Sequence, residues 1–294
     1  MSTNVRRLAG PAILFCPADR PERYAKALER ADSVIFDLED AVHAAQKPSA
    51  RQSLHDWSGQ AENRDLLEAD PIRVVVRINP VSSDFFLDDV ELLRSLPVQA
   101  VMLPKAESSA EVDQLVQALP GVSIVALCET PLGIVRSDEI AQHPSVHGLM
   151  WGAEDLIAAI GGSSSRREDG QYRDVARQAR ARMLLNAAAF GKPAIDSIYA
   201  DFSDAAGLAD EARDASASGF ALKACIHPAQ STVVRDAFAP SPAEVEYAQA
   251  LLAEVGRSGG AVQFRGAMID EPLIRHAENI MERAEKQKAG APPE

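Results

Sequence analysis

The strongest constraint in this sequence is a rhythm: a short apolar run followed by a longer stretch of helical pattern, repeated eight times. The runs cover residues 12–16, 33–38, 72–78, 100–103, 122–128, 148–151, 194–199 and 220–226. They are nearly continuous in hydrophobicity, as expected of parallel strands covered on both faces. Between them lie helical patterns: 21–31 with Pro21 in its first turn, 108–119 with Ser/Glu capping chemistry, and 172–190 ending at Gly191. The expected fold is a closed (β/α)8 barrel over 1–240, for which a chain of 294 residues has room. A doubly wound open sheet is the alternative, but no strand leads into a G-x-G-x-x-G loop. Gly161-Gly162-Ser163-Ser164-Ser165 follows a short helix, lacks a Lys-Ser/Thr end, and reads as a flexible loop. Residues 241–294 form a C-terminal helical extension: a helix over 241–255, a turn at Gly259-Gly260, a short strand at 261–264 and a last helix over 273–286.

Composition narrows the partners. With 43 acidic against 30 basic residues the formal charge is −13, which argues against nucleic acid or an anionic membrane surface. No apolar run approaches the roughly 20 residues of a membrane span. The start of the chain reads as a linker into the first strand rather than a signal peptide. Cys16, Cys128 and Cys225 are odd in number, far apart and set in apolar runs, which fits a reducing cytoplasm.

Barrel active sites lie at the carboxyl ends of the strands. Those ends carry Asp19-Arg20, Asp37-Leu38-Glu39-Asp40, Arg77-Ile78-Asn79, Lys105 with Glu107, Glu129, Glu154-Asp155 and His227. Carboxylates dominate, no histidine pair has zinc-ligand spacing, and oxygen ligands select a hard cation, magnesium or manganese. Glu129 and Asp155, on adjacent strands, are the candidate ligands; the plainer reading makes them capping or ion-paired acids. A Ser-His-Asp hydrolase lacks its G-x-S-x-G elbow. A Schiff-base aldolase would need a lysine within the barrel, for which Lys105 and Lys223 are the candidates. His227 is either an acid/base or a hydrogen-bonded structural histidine.

The segments Leu14-Phe15-Cys16-Pro17-Ala18-Asp19-Arg20-Pro21-Glu22-Arg23 and Val34-Ile35-Phe36-Asp37-Leu38-Glu39-Asp40-Ala41-Val42 resemble the citrate lyase beta-subunit family. So do Val76-Arg77-Ile78-Asn79, Leu103-Pro104-Lys105, Glu129-Thr130-Pro131-Leu132-Gly133 and Gly152-Ala153-Glu154-Asp155-Leu156. The likeness runs on through Gly219-Phe220, Cys225-Ile226-His227-Pro228-Ala229-Gln230 and Met268-Ile269-Asp270, in order along nearly the whole chain. It implies a TIM barrel, homo-oligomeric as a trimer or hexamer, with magnesium held by Glu129 and Asp155. It further implies that Arg77 holds the substrate's carboxylate or keto-acid oxygen, with Asp37, Glu39 and Asp40 as a second shell and Asp37 also counted as catalytic. Arg20, Arg23 and Lys26 are expected at the CoA phosphates. The 241–294 extension is expected to cover an active site, that of a neighbouring subunit, and to supply Asp270 as acid or base; the competing role for Asp270 is to cap the last helix. Ala18 and Ala221 stand where the family usually has glycine, which would narrow the rim.

The activity so implied is retro-Claisen cleavage of a citryl-, malyl- or citramalyl-CoA type thioester into acetyl-CoA and a 2-keto acid. The alternatives are a beta subunit acting on an acyl-carrier-bound thioester within a complex, a metal-dependent aldolase on free hydroxy-diacids, and a noncatalytic binding barrel.

Overall fold

The computed structural model describes residues 8–258 and 262–290. Eight parallel strands pair in sequence order: β1 (Ala12–Pro17), β2 (Ser33–Asp37), β3 (Val74–Arg77), β4 (Ala100–Leu103), β5 (Ser123–Cys128), β6 (Val146–Trp151), β7 (Ala194–Asp196) and β8 (Leu222–Cys225). β8 closes onto β1, so the sheet is the (β/α)8 barrel that the eightfold rhythm predicts. The helices are α1 (Tyr24–Arg30), α2 (Lys47–Gly59), α3 (Ala61–Ala69), α4 (Phe86–Ser95), α5 (Ser109–Ala118), α6 (Pro131–Val135), α7 (Ser137–Gln142), α8 (Ala153–Ala159), α9 (Asp174–Ala189), α10 (Ala205–Ser218) and α11 (Pro228–Phe238). β7 stops at Asp196 rather than at 199, and the backbone beyond it is held from the side: Ser197 O accepts from Lys223 and Ser197 Oγ from the Ala153 N–H.

Alternation along the strands fixes what the barrel encloses. Ile13, Ile35, Val75, Met102, Val125, Leu127, Met150, Ile195, Leu222 and Ala224 form one buried apolar cluster that fills it. Their neighbours point outward, under the helices. Asp196 and Lys223 are register partners there, both fully buried. Asp196 accepts from Trp151 Nε1 at 2.8 Å, from Arg180 at 2.9 and 3.1 Å and from Lys223 at 3.1 Å. Lys223 also reaches Glu211 at 2.9 Å, and Glu211 pairs with Arg166. Lys223 is thus an outward, ion-paired residue and no Schiff-base candidate. Its ammonium, penalised by burial, is more than compensated by Asp196 and Glu211, so its pKa is raised.

The 161–165 segment is fixed rather than flexible. Ser165 is buried, donates to Glu154 Oε1 at 2.7 Å, and its carbonyl accepts the Arg173 N–H at 2.8 Å.

The chain divides into two compact units between Val234 and Arg235, within α11, a few residues before the division at 240/241 read from sequence. The second unit contains α12 (Pro242–Ser258), the antiparallel strands β9 (Val262–Phe264) and β10 (Ala267–Ile269), and α13 (Glu271–Gly290). It has its own core of Ala248, Leu251, Ile269, Ala277 and Ile280. β10 has no counterpart among the strands expected from sequence. The predicted turn at Gly259-Gly260 lies outside the described residues. No helix among those described is long and apolar enough to cross a membrane.

Replacing Asp196 by Asn strips Lys223 and Arg180 of their shared counter-charge and is expected to cost about 3–5 kcal/mol, read from denaturant unfolding. Burial alone would raise the Asp196 carboxyl, but Lys223 and Arg180 overcome it and hold the pKa at about 2, below the ordinary 3.8. Its stabilisation is therefore complete above pH 3.8 and lost as pH falls towards 2. The Asn variant should lack that acid-side loss.

Candidate active site

Two residues beyond the inward Ile35 comes Asp37, two beyond Val75 comes Arg77, and two beyond Leu127 comes Glu129. The same alternation that fills the barrel therefore aims these three charged groups into its mouth. Asp37 and Arg77 are direct register partners on β2 and β3. Arg77 Nε donates to Asp37 Oδ1 at 2.7 Å and Nη2 to Oδ2 at 2.6 Å, a forked pair that locks the guanidinium plane. The Asp37 oxygens also accept the N–H groups of Glu39 and Ala41 at 2.9 and 3.2 Å. Engaged in this way, Asp37 orients Arg77. Arg77 also lies 4.9 Å over the Phe15 ring.

Past β2 the chain turns outward at Leu38-Glu39-Asp40, and a buried brace holds that turn. Lys47 Nζ donates to Leu38 O at 2.6 Å and Glu39 O at 2.8 Å, and Asn79 Nδ2 reaches Leu38 O at 3.1 Å. Asp89, fully buried on α4, accepts from Asn79 at 2.7 and 2.8 Å and is paired with Arg51 at 2.7 Å. Neither Lys47 nor Asp89 is marked by any motif in the sequence; each is seen only once the helices are placed.

Lys105, two residues past β4, takes a left-handed backbone conformation with φ of 49°. That conformation is uncommon for a residue with a side chain and is found at sites that constrain the backbone. It lets the Lys105 N–H donate to Glu129 Oε1 at 3.2 Å while its ammonium bonds Glu39 and, at 3.1 Å, Asp40. The ammonium is also 3.9 Å from Glu129 and 3.8 Å from Asp155. Lys105 is thus held protonated: burial lowers its pKa, but Glu39 and Glu129 raise it further, which removes the second Schiff-base candidate.

Glu129 ends the inward face of β5 and is buried; Asp155, in the first turn of α8, is 43% exposed. Burial, then the charge of Asp155, pushes the Glu129 carboxyl up to about 8 against the opposing pull of Arg77 and Lys105. Gly152 gives Glu129 its space, since a Cβ there would come within 2.7 Å of the Glu129 Cβ and 2.8 Å of Oε2. Burial likewise raises Glu39, against Arg77 and Lys105. Its Oε2 lies 3.0 Å from Arg77 Nη1 but is buried without an aligned hydrogen-bond donor.

The structure brings together Arg77, Asp37, Glu39, Asp40, Glu129 and Asp155, with Lys105, which the sequence also puts at a strand end, as the cation shared by Glu39, Asp40, Glu129 and Asp155. Arg20, Arg23 and Lys26 are exposed at the start of the first helical segment, beyond the end of β1. His227 is exposed, stacked on Phe202, and its Nδ1 accepts the Ala229 N–H, so it caps α11. Asp270 is exposed just before α13 in the second unit, where its carbonyl accepts the N–H groups of Leu273 and Ile274. Ala18 is buried at the mouth, its carbonyl accepting the Tyr24 hydroxyl. Ala221 precedes β8 and therefore lies at the opposite, amino-terminal end of the barrel, so its methyl does not narrow the rim.

Among the described residues no group of three or more His, Cys, Asp or Glu side chains is arranged to hold a metal. Two carboxylates with water and substrate oxygens completing the sphere is nevertheless the usual provision for magnesium. The donor set fits: a buried carboxyl destabilised as an anion, a second beside it, an ammonium standing near both, and an unpartnered carboxylate oxygen on Glu39.

The model of the HpcH/HpaI aldolase/citrate lyase family matches residues 12–228. A citrate lyase subunit beta-like protein of Mycobacterium tuberculosis is 49% identical over 278 residues, covering 95% of this chain and 97% of that protein. The human mitochondrial citramalyl-CoA lyase is 32% identical over 300 residues, covering 92% and 84% respectively. A crystal structure of the M. tuberculosis CitE protein, in complex with magnesium, acetoacetate and coenzyme A, superposes with a TM-score of 0.85 at 49% identity, covering 94% of this chain and 98% of that one.

Between the ordinary glutamate value of 4.5 and about 8, folded Glu129 keeps a proton that the unfolded chain releases. Folding then binds protons, so the metal-free protein should lose stability as pH rises across that window. Urea unfolding at a series of pH values, with a chelator present, should show this fall in the wild type and not in Glu129→Gln. Parallel pH profiles for the two proteins would mean that Glu129 does not titrate there.

Proposed function

The chain belongs to the HpcH/HpaI aldolase/citrate lyase family, and from that premise we propose that it is a magnesium-dependent carbon–carbon lyase of CoA thioesters. Its substrate is a 3-hydroxyacyl-CoA of the citryl, malyl or citramalyl type, and its products are acetyl-CoA and a 2-keto acid. The observation that carries this reading is the convergence of Glu129 and Asp155 beside Arg77 and Lys105 at the carboxyl end of the barrel. The human relative, named a citramalyl-CoA lyase, and the magnesium- and CoA-bound M. tuberculosis structure support the substrate class.

Glu129 and Asp155 would hold the cation. When bound, magnesium supplies Lewis acidity that lowers the pKa of the substrate hydroxyl and offsets charge on the keto-acid oxygens. The chain's own residues do the rest. Arg77, its plane fixed by Asp37, offers remaining guanidinium donors to the substrate's carboxylate or keto oxygen. Loss of the 3-hydroxyl proton makes that oxygen a carbonyl, and the electron pair of the breaking carbon–carbon bond passes to the thioester α-carbon. Protonation of that carbon yields acetyl-CoA. Asp270 is assigned this last proton, as the Met268-Ile269-Asp270 resemblance implies, and its exposure suits a group that works on a bound thioester. Arg20, Arg23 and Lys26 would meet the CoA phosphates, and the protein would work as a homo-oligomer.

Incubation with magnesium and, separately, citryl-CoA, malyl-CoA and citramalyl-CoA should release acetyl-CoA from one of them, with activity lost to EDTA and in Asp155→Ala. Folded, cation-binding protein that cleaves none of the three would shift the assignment to a carrier-linked thioester or a free hydroxy-diacid.

Arg77→Lys keeps the charge but loses the forked geometry, and kcat/KM should fall by about 10²–10³. Asp270→Asn should lower kcat with little change in KM. Mixing it with Asp155→Ala tests the source of the proton: regained activity means that Asp270 serves a neighbouring copy's site, and none means it serves its own.

A further inference from the structure

The position of Lys105 carries a consequence beyond cleavage itself. Its ammonium faces four carboxylates from three parts of the barrel mouth: hydrogen bonds to Glu39 and Asp40 on the β2 turn, and contacts of 3.9 Å to Glu129 and 3.8 Å to Asp155. The side chain is about one-third exposed, so it has room to shift. Its backbone does not share that freedom, being pinned by the bond from its N–H to Glu129 Oε1 and held in a left-handed conformation.

We infer that Lys105 is a tethered, displaceable cation of the metal site: its ammonium stands against Glu129 and Asp155 while they hold no metal and withdraws from them, keeping its bonds to Glu39 and Asp40, when a divalent cation takes its place. The inference rests on the reading of Glu129 and Asp155 as metal ligands. The geometry supplies both halves of the exchange. The contacts at 3.8–3.9 Å are Coulombic only, with no hydrogen bond to break, whereas the bonds to Glu39 and Asp40 can persist throughout. A doubly charged ion gains twice the Coulomb energy of a single charge at equal distance, so it can displace the ammonium. A monovalent ion from solution has no such advantage over a cation already attached to the chain. Lys105 thereby weakens the affinity for magnesium without being a ligand.

Isothermal titration with magnesium at one pH and ionic strength tests this in wild type, Lys105→Met and Lys105→Gln. Removal of the competing charge should lower the magnesium Kd on the order of tenfold in both variants. An unchanged or higher Kd in the folded variants would overturn the inference and leave Lys105 as a fixed partner of Glu39 and Asp40. A folded wild type that binds no magnesium would instead remove the metal reading on which it rests. Crystal structures of the wild type with and without magnesium give the same answer without a variant. The distance from Nζ to Glu129 should lengthen from 3.9 Å on metal binding while the Asp40 bond stays near 3.1 Å; an ammonium that does not move overturns the inference.

Discussion

Alternation along parallel strands decides the chemistry of this barrel. A strand residue faces either the barrel interior or the helices, and the register between neighbours sets which charges meet. Asp37 meets Arg77 inside because they are register partners two residues beyond inward Ile35 and Val75. Asp196 meets Lys223 outside because they are partners one residue from inward Ile195 and from Leu222 and Ala224. A one-residue slip would carry the forked pair under the helices and turn the buried lysine into the apolar barrel interior. The barrel's closure therefore holds both clusters in place.

The two clusters differ in balance, and the difference separates structure from function. The outward one sets Lys223, Arg180 and Arg166 against Asp196, Glu211 and Asp214, so each buried charge has a counter-charge within the protein. Buried groups so paired add rigidity but leave nothing for a ligand to complete. The inward cluster sets Arg77 and Lys105 against Asp37, Glu39, Asp40, Glu129 and Asp155. Its surplus of acid is unpaid within the chain; burial first, then the charge of Asp155 at Glu129 and of Asp40 at Glu39, raises those two carboxyls against Arg77 and Lys105.

The barrel and most of its mouth are legible in the sequence, because apolar runs mark the strands and a charged residue stands at nearly every carboxyl end. Periodicity cannot tell which end-of-strand residues share a face without the exact strand limits. His227 ends the eighth run as Glu129 ends the fifth, and of its two readings, acid/base or structural histidine, its bond from the Ala229 N–H fits the second. Lys223 looked like an interior lysine, but its strand begins at Leu222 and turns it outward. Ala221 was placed at the rim although it precedes that strand. Lys47 and Asp89 were invisible, since their role depends on where α2 and α4 pack and not on any local pattern. Lys105 reads from sequence as a strand-end cation facing the acids, while the particular acids it meets follow only from the closed barrel.

The acid surplus also orders the proposed chemistry. With every group ionised, the five carboxylates and two cations of the mouth leave three formal negative charges, against which an anionic thioester must approach. A divalent cation held by Glu129 and Asp155 would remove two of them and would favour the ionised form of Glu129, which burial otherwise disfavours. Arg77 remains locked by Asp37, so its donors keep their aim while the net charge of the mouth would fall to a single negative one and repel an anion less. Cation first and acyl anion second is the sequence this balance of charge favours.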